Sequence, residues 1–298
     1  MHVPPLRYAI TPIMVLHMEI IERIEAMQHW SEAQRRDRCR IVLVPTMGFL
    51  HEAHLRLVRD GKQRGDQIVV SIFVNPAQFS PNEDFTVYPR DFDRDRRLLE
   101  KENVNVLFHP STAEIYPEGY ETYVGVDKLG LLLCGGHRPG HFRGVATVVS
   151  KLFNIVRPHV AIFGEKDYQQ LRVIRRLVQD LNFDIEVVSH PIVRDADGLA
   201  MSSRNAYLSP EERRAALCLS RSLRRAACMA QRGVIKARII TEAVRAEIEA
   251  EPLATVEYVT LCDAVTLEGI DEVYAGALLA LAVRIGKTRL IDNTILKS

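Results

Sequence analysis

Two histidines three residues apart, in PTMGFLHEAHLRLVR (residues 45–59), are the first side chains here whose types and spacing suggest chemistry. A metalloprotease helix needs H-E-x-x-H, with the glutamate between the imidazoles as base. The stretch His51-Glu52-Ala53-His54 is one residue short of that. An i, i+3 pair still shares a helix face, so a zinc site would need a third ligand such as His109, His137 or His141. The setting suits an anion better. The pair follows the apolar run IVLV (41–44) where a strand gives way to a helix, and free N–H groups and the helix dipole attract phosphate there. Two polar residues decorating an ordinary first turn is the third reading, and all three stand on this stretch alone.

Other segments carry similar material. In FGEKDYQQL (163–171), Gly164 leaves a strand and Lys166 can neutralise a phosphate. Asp167 and Gln170 there fit a helix capping box, which accounts for them without any ligand. AMSSRN (200–205) offers the hydroxyls of Ser202 and Ser203 and the guanidinium of Arg204, suited to gripping phosphate oxygens or to forming a solvated turn. FVNPAQF and VYPRDFDRD place Asn75, Gln78, Tyr88 and Asp95 near a strand end and the loop after it, where α/β sheets bind ligands. The charged run after Tyr88 equally suits a solvated helix face. IGKT (285–288) resembles the end of a P-loop, but Leu281 stands where that motif needs glycine. CGGHRPGHFRG is glycine-rich without matching G-x-G-x-x-G and reads as a loop that shapes a site.

Strands and helices must position these residues. IVLV (41–44), QIVVSIFV (67–74), VNVLFH (104–109), HVAIF (159–163) and DIEVVS (184–189) are apolar strand-like runs separated by helical patterns. That alternation predicts an α/β fold whose parallel sheet is covered by helices on both faces. Val145, Val148, Val149, Leu152, Phe153 and Val156 form one helical stripe ended by Pro158, and Leu171, Ile174, Val178 and Leu181 form another. Both stripes read as core faces without chemistry. Near residue 192 the texture turns polar, which predicts a boundary between a domain over 18–192 and a smaller α+β domain over 193–298. Ser209-Pro210-Glu211-Glu212 is a capping box with proline at the first helical position, Gly233 a plausible stop, and TVEYVTLC, ALLALAVRI and TRLIDNTI are further strand candidates.

Composition excludes several functions. The 298 residues are 47% apolar and 26% charged, ordinary for a globular protein with a real core. Thirty-nine basic residues against 38 acidic ones leave no global field for nucleic acid or an anionic membrane, and the arginines at 213, 214, 221, 224 and 225 read as a solvated face. Five scattered cysteines with no C-x-x-C read as reduced thiols in the cytoplasm. No run approaches the 18 apolar residues of a membrane span, and residues 1–17 read as a poorly ordered extension.

Taken together, PTMGFLHEAH, SIFVNPAQF, YPRDFDRD, RPGHFRGV, FGEKDYQQL and GLAMSSRNAYL occur in the order and spacing of the pantothenate synthetase family, from about residue 18 to the closing KTRLIDN. The resemblance implies a Rossmann-like nucleotidyltransferase domain, kin to class I aminoacyl-tRNA synthetases, a smaller C-terminal lid, and a homodimer. It implies ATP-dependent condensation of pantoate with β-alanine through a pantoyl adenylate, with Mg2+ accompanying the ATP. His51 and His54 resemble the family's H-x-G-H pair, with Lys166, Ser202, Ser203 and Arg204 as the other catalytic groups. The ATP-binding positions it implies are Met47, Gly48, Phe49, Leu50, Glu52, Ala53, Gly164, Glu165, Asp167, Val193 and Met201 beside those residues. Gln78 and Gln170 resemble the amides that hold pantoate, Asn75, Tyr88, Arg138 and His141 the pantoate and β-alanine lining, and Asp95 a magnesium contact. Ala53 departs from the family pattern, which has glycine there and so a closer approach for the nucleotide.

Overall fold

The computed structural model describes residues 18–81 and 83–296. The expected extension, residues 1–17, lies outside the described residues. The first part of the chain alternates β1 (Glu19–Ile21), α1 (Ile24–Arg36), β2 (Ile41–Thr46), α2 (Glu52–Gly61), β3 (Gln67–Ile72), α3 (Phe92–Lys101) and β4 (Val106–Phe108). Two short helices, α4 (Thr112–Ile115) and α5 (Cys134–His137), precede α6 (His141–Val156), β5 (Val160–Gly164), α7 (Tyr168–Asp180) and β6 (Glu186–His190). All six strands form one parallel sheet in the order β1-β4-β3-β2-β5-β6.

The pleat explains why these strands read as unbroken apolar runs. Ile41, Leu43, Val69, Val106, Phe108, Ala161 and Phe163 face one core, with α6 and α7. Their neighbours Val42, Val44, Ile68, Val70, Leu107, Val160 and Ile162 face the other, with Leu55 and Val58 of α2 and Leu99 of α3. Both faces are buried, as a parallel sheet requires. The three residues of β1 form the edge strand against β4, a pairing too short for its apolar pattern to show in the sequence.

Beyond β6, α8 (Pro210–Gln231), α9 (Ala237–Glu249), β7 (Ala254–Cys262), β8 (Leu278–Ile285) and β9 (Thr288–Ile295) build a three-stranded antiparallel sheet under two helices. The Ser209–Glu212 capping box forms in both directions, and Gly233 takes φ +84° just after α8. IGKT is the β8–β9 hairpin turn, with Ile285 opposite Thr288. Leu279, Leu281, Val283 and Ile285 pack beneath α8 and α9, whereas Leu278 and Ala280 on the opposite face of β8 join the core of the first part.

The order in which strands are added to the large sheet changes direction between β2 and β5: β3 and β4 extend to one side and β6 to the other. The β2–β5 ladder spans only Val42 with Val160 and Leu43 with Ala161, so the strands part toward their carboxyl ends. Open α/β sheets bind ligands at such a crevice. The turns that leave β2 and β5 there are the histidine and lysine motifs.

One carboxylate holds the first of these turns. Gly48 has φ +81° and Phe49 φ +50°, and a Cβ at Gly48 would lie 3.0 Å from Ile72 Cγ2 and 3.1 Å from Asp95 Oδ2. Asp95, near the start of α3 and 1% exposed, accepts the Phe49 amide at 2.6 Å and the Leu50 amide at 2.7 Å. Its pKa lies above the ordinary aspartate value, because burial outweighs these two donors. The family resemblance implies a magnesium contact at Asp95. In this structure the carboxylate is enclosed and both oxygens accept backbone amides, an arrangement that favours a structural role. Asp95→Asn would turn one acceptor into a donor facing a backbone N–H, so it should lower unfolding stability by about 1–3 kcal/mol in urea titrations. Activity should fall while the Mg2+ concentration for half-maximal rate stays unchanged; a raised Mg2+ requirement with intact stability would restore the metal role.

Candidate functional site

The crevice holds a cavity of about 230 Å³ whose lining includes Met47, His51, Ala53, His54, Asn75, Gln78, Tyr88, Gly164, Lys166, Gln170, Val193, Met201 and the Ser202–Arg204 run. A larger cavity of about 910 Å³ lies between the sheet and the C-terminal part. Arg138, His141, Lys166, Asp167, Gln170, Ser202 and Arg204 line both, so the two adjoin along these side chains. The size of the larger reflects the gap between two packed units, whereas the chemistry-bearing side chains concentrate in the smaller.

His51 is the N-cap of α2 and His54 lies three residues on. His54 Nδ1 accepts the backbone N–H of His51 at 3.3 Å, so this ring carries its proton on Nε2. The two rings sit 4.0 Å apart at 32°, and His51 Nδ1 is buried with no hydrogen-bond partner among the described residues. Burial, then Lys166, drives the His51 pKa down to about 4, and burial, His51 and Lys166 drive that of His54 well below the ordinary value. Both are neutral near pH 7. None of the third-ligand candidates joins them: His109 lies tilted against Phe92, His137 lies beside Glu257 and Tyr258, and His141 faces the Gln78 carbonyl. Among the described residues no group of three or more His, Cys, Asp or Glu could hold a metal ion.

The second turn presents Lys166, whose ammonium lies 3.7 Å from Asp167 Oδ1. The expected capping box fails, because a 3₁₀ turn (Glu165–Asp167) runs straight into α7 and Asp167 makes no side-chain cap. The Gln170 amide is thereby left facing both cavities. Glu165 turns away to accept Ser189 Oγ at 2.8 Å. Asn293, on β9, donates to the Glu165 and Lys166 carbonyls at 3.0 Å each. Sequence reading missed this residue, because only the packing of β9 brings it to a turn over a hundred residues away.

On the other wall, chemistry assigns every amide. Asn75, 1% exposed, donates from Nδ2 to the Gly144 carbonyl at 3.1 Å and to Gln78 Oε1 at 3.0 Å. Gln78 must therefore aim its NH₂ into the cavity, where it lies 3.1 Å from Met47 Sδ. Asn75 has no donor left for a ligand. This approach depends on Gly144, where an added Cβ would lie 2.1 Å from the Ala77 carbonyl oxygen. His141 donates Nδ1–H to the Gln78 carbonyl at 2.8 Å, and its Nε2 faces Arg138 Nη1 at 3.1 Å. Burial and Arg138 hold it neutral, with a pKa of about 4. Val145, Val148, Val149 and Leu152 also line the smaller cavity. The stripe read as core alone is also its apolar wall.

The remaining expected residues divide. Val193 and Met201 meet through the Met201 N–H and the Val193 carbonyl at 2.9 Å. Ser202 caps the turn Ser203–Tyr207, and Ser203 donates to the Phe49 carbonyl at 3.2 Å, tying this run to the histidine turn. Arg204 is paired bidentately with Asp84 at 2.8 and 2.9 Å, so an anionic ligand must compete with that carboxylate for it. Arg138 is similarly held by Glu83. Tyr88 is buried beneath the Arg204 guanidinium, which lies 5.6 Å from its ring centre. Gly48, Phe49, Leu50 and Glu52 shape the turn without lining either cavity: Leu50 is in the core, Arg94 covers Phe49, and Glu52 pairs with Arg59.

Neutral buried imidazoles set a pH dependence. Between the unfolded value of 6.5 and the folded value of about 4, the unfolded chain binds protons that the folded one refuses at His51 and His141. Stability should therefore be full above pH 6.5 and fall as pH drops toward 4, by up to about 1.4 kcal/mol per pH unit for each imidazole. Urea unfolding at several pH values across that window tests this; a flat profile would mean that the rings accept protons without unfolding.

Residues 19–295 match the family model described as pantoate-beta-alanine ligase. The chain is 54% identical to the pantothenate synthetase of Syntrophotalea carbinolica, over 93% of this chain and 98% of that one, and 54% identical to that of Thermotoga petrophila, over 94% and 100%. Among solved structures, the pantothenate synthetase of Thermus thermophilus superposes with a TM-score of 0.90 at 44% identity, covering 94% of this chain and all of that one. The pantoate-beta-alanine ligase of Francisella tularensis, complexed with beta-gamma ATP and beta-alanine, superposes with a TM-score of 0.78 at 33% identity, covering 94% and 98%. The fold with its parallel sheet opened between β2 and β5 is thus shared, and the chain belongs to the pantoate-β-alanine ligase family.

Proposed function

We propose that this chain condenses pantoate with β-alanine at the expense of ATP. The pantoate carboxylate attacks the α-phosphorus of ATP to give pantoyl adenylate and pyrophosphate; the β-alanine amine then attacks the acyl carbon and releases AMP. The observation that carries this reading is one cavity in which phosphate-type donors, side-chain amides and an apolar wall converge. A dihydroxy acid with two geminal methyls fits the amides of Gln78 and Gln170 and the valines of α6. A triphosphate fits the opposite side, under the His54 Nε2–H and Lys166.

Attack by one anion on another is slow chiefly because charge must be offset and oxygens aligned, so donors and positioning suffice without an enzyme nucleophile. His54, being neutral, stabilises the departing pyrophosphate as a hydrogen-bond donor. Lys166 supplies the positive charge, joined by Ser202 and by Arg204 once it leaves Asp84. His51 offers its buried unpartnered nitrogen beside them. Gly164, around which a Cβ would meet open space, exposes backbone to the nucleoside, with Val193 and Met201 beside it. Asn75, Arg138, His141 and Tyr88 act from behind the pantoate and β-alanine side. Magnesium enters as part of the Mg·ATP substrate, which suits an ion that keeps water and phosphate oxygens as ligands. Residues 193–298 act as a lid over the larger cavity. The homodimer rests on the family resemblance, and the cytoplasmic setting on the scattered cysteines.

Pantoate-dependent ATP–pyrophosphate exchange tests the first half-reaction, and added β-alanine should then yield pantothenate and AMP. Gln170→Ala should raise the pantoate KM about tenfold or more, as expected for an amide hydrogen-bonded to a charged group; exchange that ignores pantoate would redirect the substrate assignment.

Ala53, in the first turn of α2, places its methyl in the smaller cavity where the family has glycine. Ala53→Gly should lower the ATP KM, since an added methyl at a tight contact costs about 1–3 kcal/mol. It should also cost about 1 kcal/mol of helix stability. An ATP KM that does not fall would show that the nucleotide already clears the methyl.

A further inference from the structure

Tyr116, the residue that ends α4, belongs to none of the motifs above, yet its hydroxyl reaches the wall of the site. It donates to Asn75 Oδ1 at 2.8 Å. The direction is forced by chemistry. The Gly144 carbonyl beside Asn75 only accepts and the Ala77 N–H beside it only donates, so Nδ2 and Oδ1 of Asn75 are identified, and an oxygen facing Tyr116 requires a donor. The Ala77 bond to Oδ1 is long, at 3.3 Å, which leaves the tyrosine as the short contact holding that end of the amide. The other end of Asn75 holds Gln78 Oε1 at 3.0 Å and so turns the Gln78 NH₂ toward the cavity.

We propose that Tyr116 is a positioning residue for the acid substrate, because its hydroxyl, through Asn75, keeps the Gln78 amide facing the cavity with its donor outward. The proposal rests on the reading that Gln78 holds pantoate. An anion rich in acceptor oxygens needs NH₂, not C=O, at that point, and a rotated glutamine would oppose a carboxylate with a carbonyl. Burial raises the Tyr116 pKa well above the ordinary tyrosine value, so the hydroxyl keeps the proton this chain of bonds requires. The ring has separate support from Phe73 and Tyr120, with centroids 6.2 and 5.0 Å away, and from the Lys151 ammonium at 5.7 Å. Removing the oxygen alone therefore leaves the packing in place.

Tyr116→Phe, Gln78→Ala and the double variant are compared by steady-state kinetics with pantoate and with ATP varied separately. Tyr116→Phe should raise the pantoate KM about three- to tenfold, the range for losing one neutral hydrogen bond, with the ATP KM and the melting temperature little changed. In the Gln78→Ala background the same substitution should add nothing, since the amide it orients is gone. If Gln78→Ala raises the pantoate KM and Tyr116→Phe does not, the positioning role is wrong and the pantoate reading stands. If Gln78→Ala is itself silent, that reading fails and the Tyr116 role fails with it. A Tyr116→Phe effect that persists undiminished in the Gln78→Ala background, or that falls equally on ATP, overturns the proposal in favour of a general structural role.

Discussion

The turn between β2 and α2 keeps its shape because a buried carboxylate accepts two of its amides. Gly48 and Phe49 both have positive φ, a conformation costly for Phe49, and neither the Phe49 nor the Leu50 amide has a strand or helix partner. Asp95 meets both needs from the start of α3. Everything at the mouth of the crevice depends on that. The clamp sets where α2 begins, hence where His51 and His54 stand, and the Phe49 carbonyl it orients receives Ser203 from the C-terminal part. A residue expected to contact a metal thus acts by holding backbone, and its burial is what makes the hold strong.

Electrostatics across the site follow a division between neutral donors and cations under control. His51 and His54, half-buried, and His141, buried, lie beside Lys166 or Arg138, and each stays uncharged. Two arginines near substrate are held by neighbouring carboxylates on one loop, Arg138 by Glu83 and Arg204 by Asp84. Lys166 pairs only at 3.7 Å with Asp167, the loosest of the three. A triphosphate entering here finds one readily available cation and several neutral donors, and recruits the second cation by exchange with a carboxylate. Such exchange makes charge neutralisation conditional on the ligand's presence.

Much of this was legible in the chain. The five main strands of the parallel sheet, the α6 stripe, the α8 capping box and the C-terminal strands all follow from local periodicity and turn chemistry, which act over a few residues; the α7 stripe holds at Leu171 and Ile174 but not at Leu181, which lies just past the helix and is 49% exposed. Three places where residue type and local pattern fall short share one cause. The Asp167–Gln170 box has the right letters, but the backbone arrives through a 3₁₀ turn and Asp167 makes no cap. The valines of α6 read as core because a helical stripe looks the same whether sheet or cavity covers it. Asn75 looks like a ligand residue by type, and only its contacts with Gly144, Gln78 and Tyr116 show that its hydrogen bonds are already made.

The sequence by itself determined the fold class, the histidine and lysine turns and their order, because strand pattern and motif spacing are properties of neighbouring residues. Tertiary structure alone decided which of those residues keep a free donor. Asp95, Asn75, Ser203, Arg204 and Glu165 are committed to partners 24 to 154 positions away, whereas Gln170 and Lys166 are not so committed at their cavity-facing atoms and Gln78 keeps one N–H beyond its contact with Met47. Hydrogen-bonding capacity is finite and is filled by whatever the fold brings near. Availability for substrate is therefore decided by packing, even where residue type already declares the chemistry.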